Sequence, residues 1–314
     1  MKLSALLLLS QLAASAAFAP GTFRAHTNVN SKLFAEGGAP QYDKIDAVLK
    51  EAEVLAKGSV MLHIETEEEI DYEPGHVIAL EIEGAVPEEN EKAAEDAAKN
   101  GGWMRGPYTV SRSSAKSLDI LIRVVGDKSK VFANAESGTP VKFGGKFKVP
   151  IVEGIQKEDT KRVVFISTGV GIGPCVGAVE EALKDDTFPP VELCASYRNK
   201  EEIVYIDYLN ELQEQNPGRF SWKSVISSES GRLSASEENL QAIAPAEGLG
   251  IEDTHYHLIG NGQLVSEFKA GLSKAGVPDN KVTVEMYFNH KAESNDDAID
   301  RIANMISSTK AVVA

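Results

Sequence analysis

From about Tyr42 to Ile151, apolar and polar residues alternate with period two, and Gly, Pro, Asn and Asp fall between the runs. The alternation predicts strands over Ser59–Glu65, His76–Glu83, Tyr108–Ser114, Leu118–Val125 and Val141–Val149. Several short strands broken by turns predict an antiparallel β-barrel. The acidic, Ala-rich stretch Pro87–Asn100 interrupts them and reads as a solvated helical insertion. From Lys161 the rhythm changes to strand, helix, strand, helix. Strands are expected over Arg162–Ser167, Val191–Ser196, Phe220–Ile226, His257–Ile259 and Val282–Phe288. Helices are expected over Val176–Lys184, Ile203–Gln215 and Leu264–Lys274. Such alternation predicts a parallel sheet covered by helices, with ligands at the carboxyl ends of its strands. The expected division is a barrel domain over 41–155, an α/β domain over 156–290 and a C-terminal tail over 291–314 that is polar, then helical.

At 314 residues there is enough chain for two cores. The net charge of −15 disfavours non-specific binding to nucleic acid or to an anionic membrane. Cys175 and Cys194 are the only cysteines, so a disulfide framework does not hold this fold. The N-terminus reads as an address. Lys2 and the apolar run Leu6–Leu9 lead to small residues, with Ser15 and Ala17 placed for a cut before Phe18, so 1–17 is expected to be a signal peptide. The apolar run is too short for a spanning helix, and no transmembrane segment is expected in the mature chain. Residues 18–35 hold no acidic residue but include Arg24 and Lys32, a transit-peptide composition, and the leader is taken to run to residue 40. A plain secreted leader is the simpler alternative. Ala17-Phe18-Ala19-Pro20 resembles the cleavage motif of plastid precursors in algae with secondary plastids, such as diatoms, which implies a plastid location.

The sharpest chemical signal is Thr168-Gly169-Val170-Gly171-Ile172-Gly173-Pro174, between a strand and a helix. Alternate glycines let the backbone approach a bulky anion, and the following helix offers free N–H groups and the positive end of its dipole. A Gly-rich turn alone is weak evidence; the strand before and the helix after favour a nucleotide phosphate site over a structural turn. No Lys-Ser or Lys-Thr follows, which disfavours a triphosphatase loop.

This turn resembles the nicotinamide-site loop T-G-T-G-I-A-P of the ferredoxin–NADP reductase family. Arg105-Gly106-Pro107-Tyr108-Thr109-Val110 resembles that family's flavin motif R-x-Y-[ST], and the segment from Gly126 to Ser129 resembles its phosphate-binding G-x-x-[ST]. Pro74-Gly75-His76, Gly260-Asn261-Gly262 and Glu285-Met286-Tyr287-Phe288 follow the family's order, so the likeness runs from about residue 42 to 290. It implies an FAD-dependent oxidoreductase moving electrons between a nicotinamide nucleotide and an unidentified acceptor, for which a small redox protein is one candidate. On this resemblance Thr109, Glu285 and Tyr287 are the catalytic candidates. Arg105, Pro107, Tyr108, Thr109, Val110, Ser111 and Ser129 would hold FAD. Thr168, Gly169, Gly171, Pro174, Arg198, Arg232, Gly260 and Asn261 would hold the nicotinamide nucleotide, and an aromatic at Tyr287 or Phe288 would cover the flavin. Ser227, Ser228 and Arg232 favour NADP, with NAD not excluded.

There are departures. Arg105 stands three residues before Tyr108 rather than two, so either the loop bulges by one or the phosphate contact weakens. The family's cysteine beside the nicotinamide is replaced by Ile259, and 26 residues follow Phe288. These changes keep a rival open: a reductase-like subunit that binds or assembles without catalysis. For Glu285 an unremarkable surface carboxylate is an even alternative. His255 and His257 alternate on one strand, yet no third ligand is evident, and ordinary strand histidines are expected.

Overall fold

The computed structural model describes residues 42–84, 91–245, 248–287 and 294–308. The leader assigned to residues 1–40 and Phe288 lie outside them. The first domain is a seven-stranded, wholly antiparallel sheet in the order β4-β3-β7-β1-β2-β6-β5. Its strands are β1 (Ile45–Ala56), β2 (Ser59–Glu65), β3 (Val77–Glu83), β4 (Trp103–Thr109), β5 (Arg112–Ser114), β6 (Ser117–Arg123) and β7 (Pro140–Gly144). Two helices, α1 (Glu91–Lys99) and α2 (Asp127–Ala133), join them. The barrel core is built from Leu62, Ile64, Ile78, Leu80, Ile120 and Phe132, all essentially buried.

Two strands differ from expectation. β1 is rich in Ala, Glu, Lys and Leu, which are helix formers, and gives no clean alternation. Pairing with β2 on one side and β7 on the other, with register shifts after Leu49 and Val54, makes it a strand. The single run expected over Tyr108–Ser114 is divided into β4 and β5. These are the two edges of the sheet, and the chain crosses between them at Val110 and Ser111. Val110 donates its N–H to His76 O (2.9 Å) and Ser111 to Asp119 O (2.8 Å), which sews the edges together.

The second domain is a five-stranded parallel sheet in the order β10-β9-β8-β11-β12. Its strands are β8 (Arg162–Thr168), β9 (Val191–Tyr197), β10 (Phe220–Ile226), β11 (Thr254–Asn261) and β12 (Val282–Tyr287). The helices are α3 (Ile172–Lys184), α4 (Ile206–Gln215), the short α5 (Ser227–Ser230) and α6 (Glu237–Leu240), α7 (Gly262–Ala275) and α8 (Asp296–Ser307). Strand order reverses between β8 and β11, so their carboxyl ends open a crevice. The part of the expected tail that forms α8 is no appendage. Its Ile302, Ala303 and Ile306 join the same core as Val265, Phe268 and Leu272 of α7.

The domains meet backbone to backbone. Gly173 and Gly177 lie four apart, on one face of α3. A Cβ on Gly177 would sit 1.9 Å from the carbonyl oxygen of Ser111, and one on Gly173 would sit 2.5 Å from Oγ of Ser111. One apolar cluster accordingly crosses the interface, joining Met61 and Leu121 of the barrel to Val176 and Val179. Beside it, Arg112 of β5 grips Glu180 of α3 with Nε and Nη2 (2.6–2.9 Å), between the rings of Tyr205 and Tyr208. Replacing Gly177 by Val should force the seam apart. We expect a loss of about 2–3 kcal/mol or more in urea unfolding, the upper range of overpacking; Gly154→Ala, where an added Cβ meets its neighbours at 3.4 Å and beyond, sets the background.

Candidate active site

The crevice at the carboxyl ends of β8 and β11 is a cleft of about 630 Å³. Thr168, Gly169 and Val170 line it from β8, Ser196, Tyr197 and Arg198 from β9, and Ser227 and Arg232 from beyond β10. Gly260, Asn261 and Leu264 come from β11 and α7, Tyr287 from β12, and Arg123 reaches in from the barrel. Six expected nucleotide residues, Thr168, Gly169, Arg198, Arg232, Gly260 and Asn261, therefore share one wall system. Gly171 and Pro174 are buried at the start of α3 behind it.

Local chemistry shapes this cleft. Gly260 has φ +122°, and a Cβ there would sit 2.1 Å from Oγ1 of Thr168, so only glycine fits. Thr168 Oγ1 accepts the N–H of Asn261 (2.7 Å), pinning β8 to β11 at the switch point. Asn261 then caps α7 by accepting from the N–H groups of Gln263 and Leu264. The α3 N-terminus carries no side-chain cap; the turn Gly169–Gly171 runs into it and takes the Ile172 N–H, so the turn rather than the helix start lines the cleft. Arg123 and Glu202 form an ion pair across the domains at 3.1 Å. Neither carries a local sequence signal, because each depends on how the domains dock.

The catalytic candidates come together at the edge of this cleft. Thr109, the last residue of β4, donates its hydroxyl to Glu285 of β12, and the Tyr287 hydroxyl joins the same group. Glu285 is 3% exposed. It is therefore no surface carboxylate. Burial raises its pKa, while the Lys148 ammonium and the hydrogen bonds from Thr109 and Tyr287 oppose that rise. Lys148, on the linker after β7, donates to the Val284 carbonyl at 2.7 Å and ties β12 to the barrel. Burial likewise pushes the Tyr287 phenol well up, so it is a neutral donor.

The flavin motif divides. β4 pairs with β3 in unbroken register from Trp103 to Thr109, so there is no bulge. With period-two alternation, Arg105 and Tyr108 then face opposite sides of the strand. The Tyr108 ring turns toward Phe132 of α2, with centroids 5.0 Å apart, and overlies Gly106. Arg105 lies on the other face with Pro107 and Thr109. It hydrogen-bonds the Tyr42 hydroxyl, stacks on that ring and pairs with the buried Glu81 at 3.4 Å. The extra residue thus separates the expected phosphate cation from the expected ring platform. Ser129 Oγ accepts from the Val125 N–H (2.7 Å) and donates to the Gly126 carbonyl (2.9 Å), steadying the turn into α2. Val110 and Ser111 are fully buried in the seam, where Ser111 Oγ accepts from the Leu121 N–H (3.1 Å).

Other groups are inert. His255 and His257 share Thr283 Oγ1 at 3.0 and 2.9 Å, and burial depresses them to about 4 and about 3, so both are neutral core histidines. Cys175 and Cys194 are buried, the latter pushed up to about 12 by burial. Among the described residues no three His, Cys, Asp or Glu side chains form a metal site, and no helix is long and apolar enough to cross a membrane.

Known proteins agree with this geometry. Residues 165–269 match the oxidoreductase NAD-binding domain. The chain is 30% identical over 121 residues to a flavohemoprotein of Candida norvegensis, an alignment spanning 38% of this chain but only 28% of that protein. It is 26% identical over 179 residues to a flavodoxin/ferredoxin–NADP reductase of Buchnera aphidicola, covering 52% and 67% of the two chains. Among solved structures, a Neisseria gonorrhoeae ferredoxin–NADP reductase with bound FAD and NADP superposes with TM-score 0.63 at 19% identity, over 79% of this chain and 100% of that one. A Plasmodium falciparum ferredoxin–NADP reductase with 2′P-AMP gives 0.57 at 16%, over 78% and 96%. The likeness to these solved structures is one of fold, and the family match is to the oxidoreductase NAD-binding domain over residues 165–269.

Because Glu285 titrates higher in the fold than in the open chain, its protonated form is the one the fold favours. That contribution is full at acid pH and is lost as pH rises through the raised value. Glu285→Gln should therefore unfold at higher urea than the parent at pH 8, with the gap closing toward pH 4; a gap independent of pH would contradict the burial account.

Proposed function

We propose that this chain is an FAD-dependent oxidoreductase passing electrons between NAD(P)H and an acceptor. The observation that carries this reading is the buried Thr109–Glu285 bond. It joins the barrel seam to the edge of a cleft suited to a dinucleotide. Thr168, Gly169, Val170 and Gly260 fit a pyrophosphate, and Arg198, Ser227 and Arg232 fit the phosphorylated ribose of NADP. The half-buried Tyr108 ring and the start of α2 fit a flat cofactor carrying phosphate. FAD, when bound, supplies the two-electron chemistry. Glu285 and Tyr287 keep a hydrogen-bonding, water-poor edge beside Thr109, whose hydroxyl is oriented by the carboxylate. Tyr287 lines the cleft, so a nicotinamide seated beside Thr109 would meet that ring.

The competing reading is a reductase-like binding subunit, favoured by Arg105 lying on the face opposite Tyr108. A visible spectrum separates the two. After incubation with FAD the purified chain should be yellow and should bleach with NADPH; a chain that stays colourless would support the subunit. In the holoprotein, Thr109→Val should slow flavin reduction by about tenfold or more, equivalent to about 1.4 kcal/mol at the barrier. An unchanged stopped-flow rate would remove Thr109 from the mechanism. The Ala17–Pro20 motif and the acid-free stretch behind it support a plastid address, testable by fusing residues 1–40 to a fluorescent protein.

A further inference from the structure

Arg232 is an exposed arginine on the cleft wall, following β10. An arginine so placed is of use to an anion only if its fork is aimed. Its Nη1 donates to Oε1 of Gln263, in the first turn of α7. The Nε2 of Gln263 donates to Glu267 Oε1 at 2.9 Å, one helical turn further on. A carboxylate can only accept, so Glu267 dictates which end of the Gln263 amide it meets. The amide nitrogen must turn inward and the carbonyl oxygen outward, toward Arg232.

Glu267 is itself fixed. It is 2% exposed, and it accepts from Ser234 Oγ (3.0 Å) and from the N–H of Asn295 (3.3 Å) as well as from Gln263. Asn295 caps α8 through the Ala298 N–H, and Arg301 of α8 donates to the Ser234 carbonyl at 3.1 Å. The backbone of Gln263 is anchored separately, by Asn261 Oδ1. The chain of contacts thus runs from the C-terminal helix, through a buried carboxylate and one amide, to a guanidinium in the cleft.

We propose that Gln263, oriented by Glu267, is the positioning residue that aims Arg232 at the ribose phosphate of a phosphorylated adenine nucleotide, with α8 as the buttress of this arrangement. This rests on the reading of the cleft as a dinucleotide site with Arg232 as its phosphate cation. It gives the segment beyond β12 a part in coenzyme choice.

The test is calorimetric titration of the purified full chain with 2′,5′-ADP and with 5′-ADP, requiring no turnover. Arg232→Gln establishes the reading. It should weaken 2′,5′-ADP by about tenfold or more and leave 5′-ADP within about twofold, the loss of a charge-assisted phosphate contact. Gln263→Met keeps the side-chain length and removes the carbonyl. It should weaken 2′,5′-ADP selectively by about fivefold, and Glu267→Gln, whose amide no longer forces the orientation, should do so to a smaller degree. Equal losses for both nucleotides in Gln263→Met, or no loss, with Arg232→Gln still selective, would overturn the relay alone. An Arg232→Gln that binds both nucleotides as the parent does would overturn the relay together with the reading beneath it. Thermal unfolding of each variant separates a folding defect from lost aim. If Gln263→Met is unstable, Gln263→Asn, which keeps the amide but is too short to span both partners, must show the same selectivity for the proposal to stand.

Discussion

Everything distinctive in this molecule depends on how closely α3 lies on the barrel seam. At Gly177 no side chain of any size fits between the helix and the Ser111 carbonyl. That contact fixes α3 against the crossover at Val110 and Ser111, where the two edges of the seven-stranded sheet are sewn together. Once it is set, the end of β4 meets the end of β12, and Thr109 and Glu285 hydrogen-bond across the boundary beside the Tyr287 hydroxyl. Arg112 between its two tyrosines and Lys148 bonded to the Val284 carbonyl of β12 hold the same arrangement from either side. Interfaces between domains are often slack; a backbone-to-backbone contact with an apolar cluster running through it is not.

The electrostatics follow from that closeness. A carboxylate brought into a dry seam costs several kcal/mol unless it is partnered. Glu285 is given two hydroxyl donors and a nearby ammonium, yet burial still dominates its titration. Such tension between stability and placement is common where chemistry is done. The histidine pair on β11 is the instructive contrast, with two buried rings that share one threonine, are kept neutral by burial and stand away from the cleft.

Much of this was legible in the sequence. The change of rhythm near Lys161 predicts two domains, and the alternating pattern after it locates β8 to β12, because parallel strands buried on both faces leave a simple apolar signal. The glycine turn at 169–173 is legible because glycine suits each position: Gly169 has φ +54°, and Gly171 and Gly173 lie close against Ile259 and Ser111. β1 is not, because Ala, Glu and Lys speak for a helix and only pairing decides otherwise. The fate of Arg105 was written as a count of residues, three rather than two, but whether a strand bulges or turns a side chain to its other face depends on the partner strand. Arg123, Glu202 and Lys148 carry no local signal. Their importance is made by docking, and docking is decided by surfaces distant in sequence.

Whether Thr109 and Glu285 act as one unit across the domain boundary is read out by a double-mutant cycle. Flavin reduction by NADPH would be followed in the FAD-loaded parent, Thr109→Val, Glu285→Gln and the double variant. Coupling of about 1 kcal/mol or more, with the double variant hardly slower than the worse single one, is what the shared hydrogen bond predicts. Effects that simply multiply would mean the two residues work apart, and the account would be wrong.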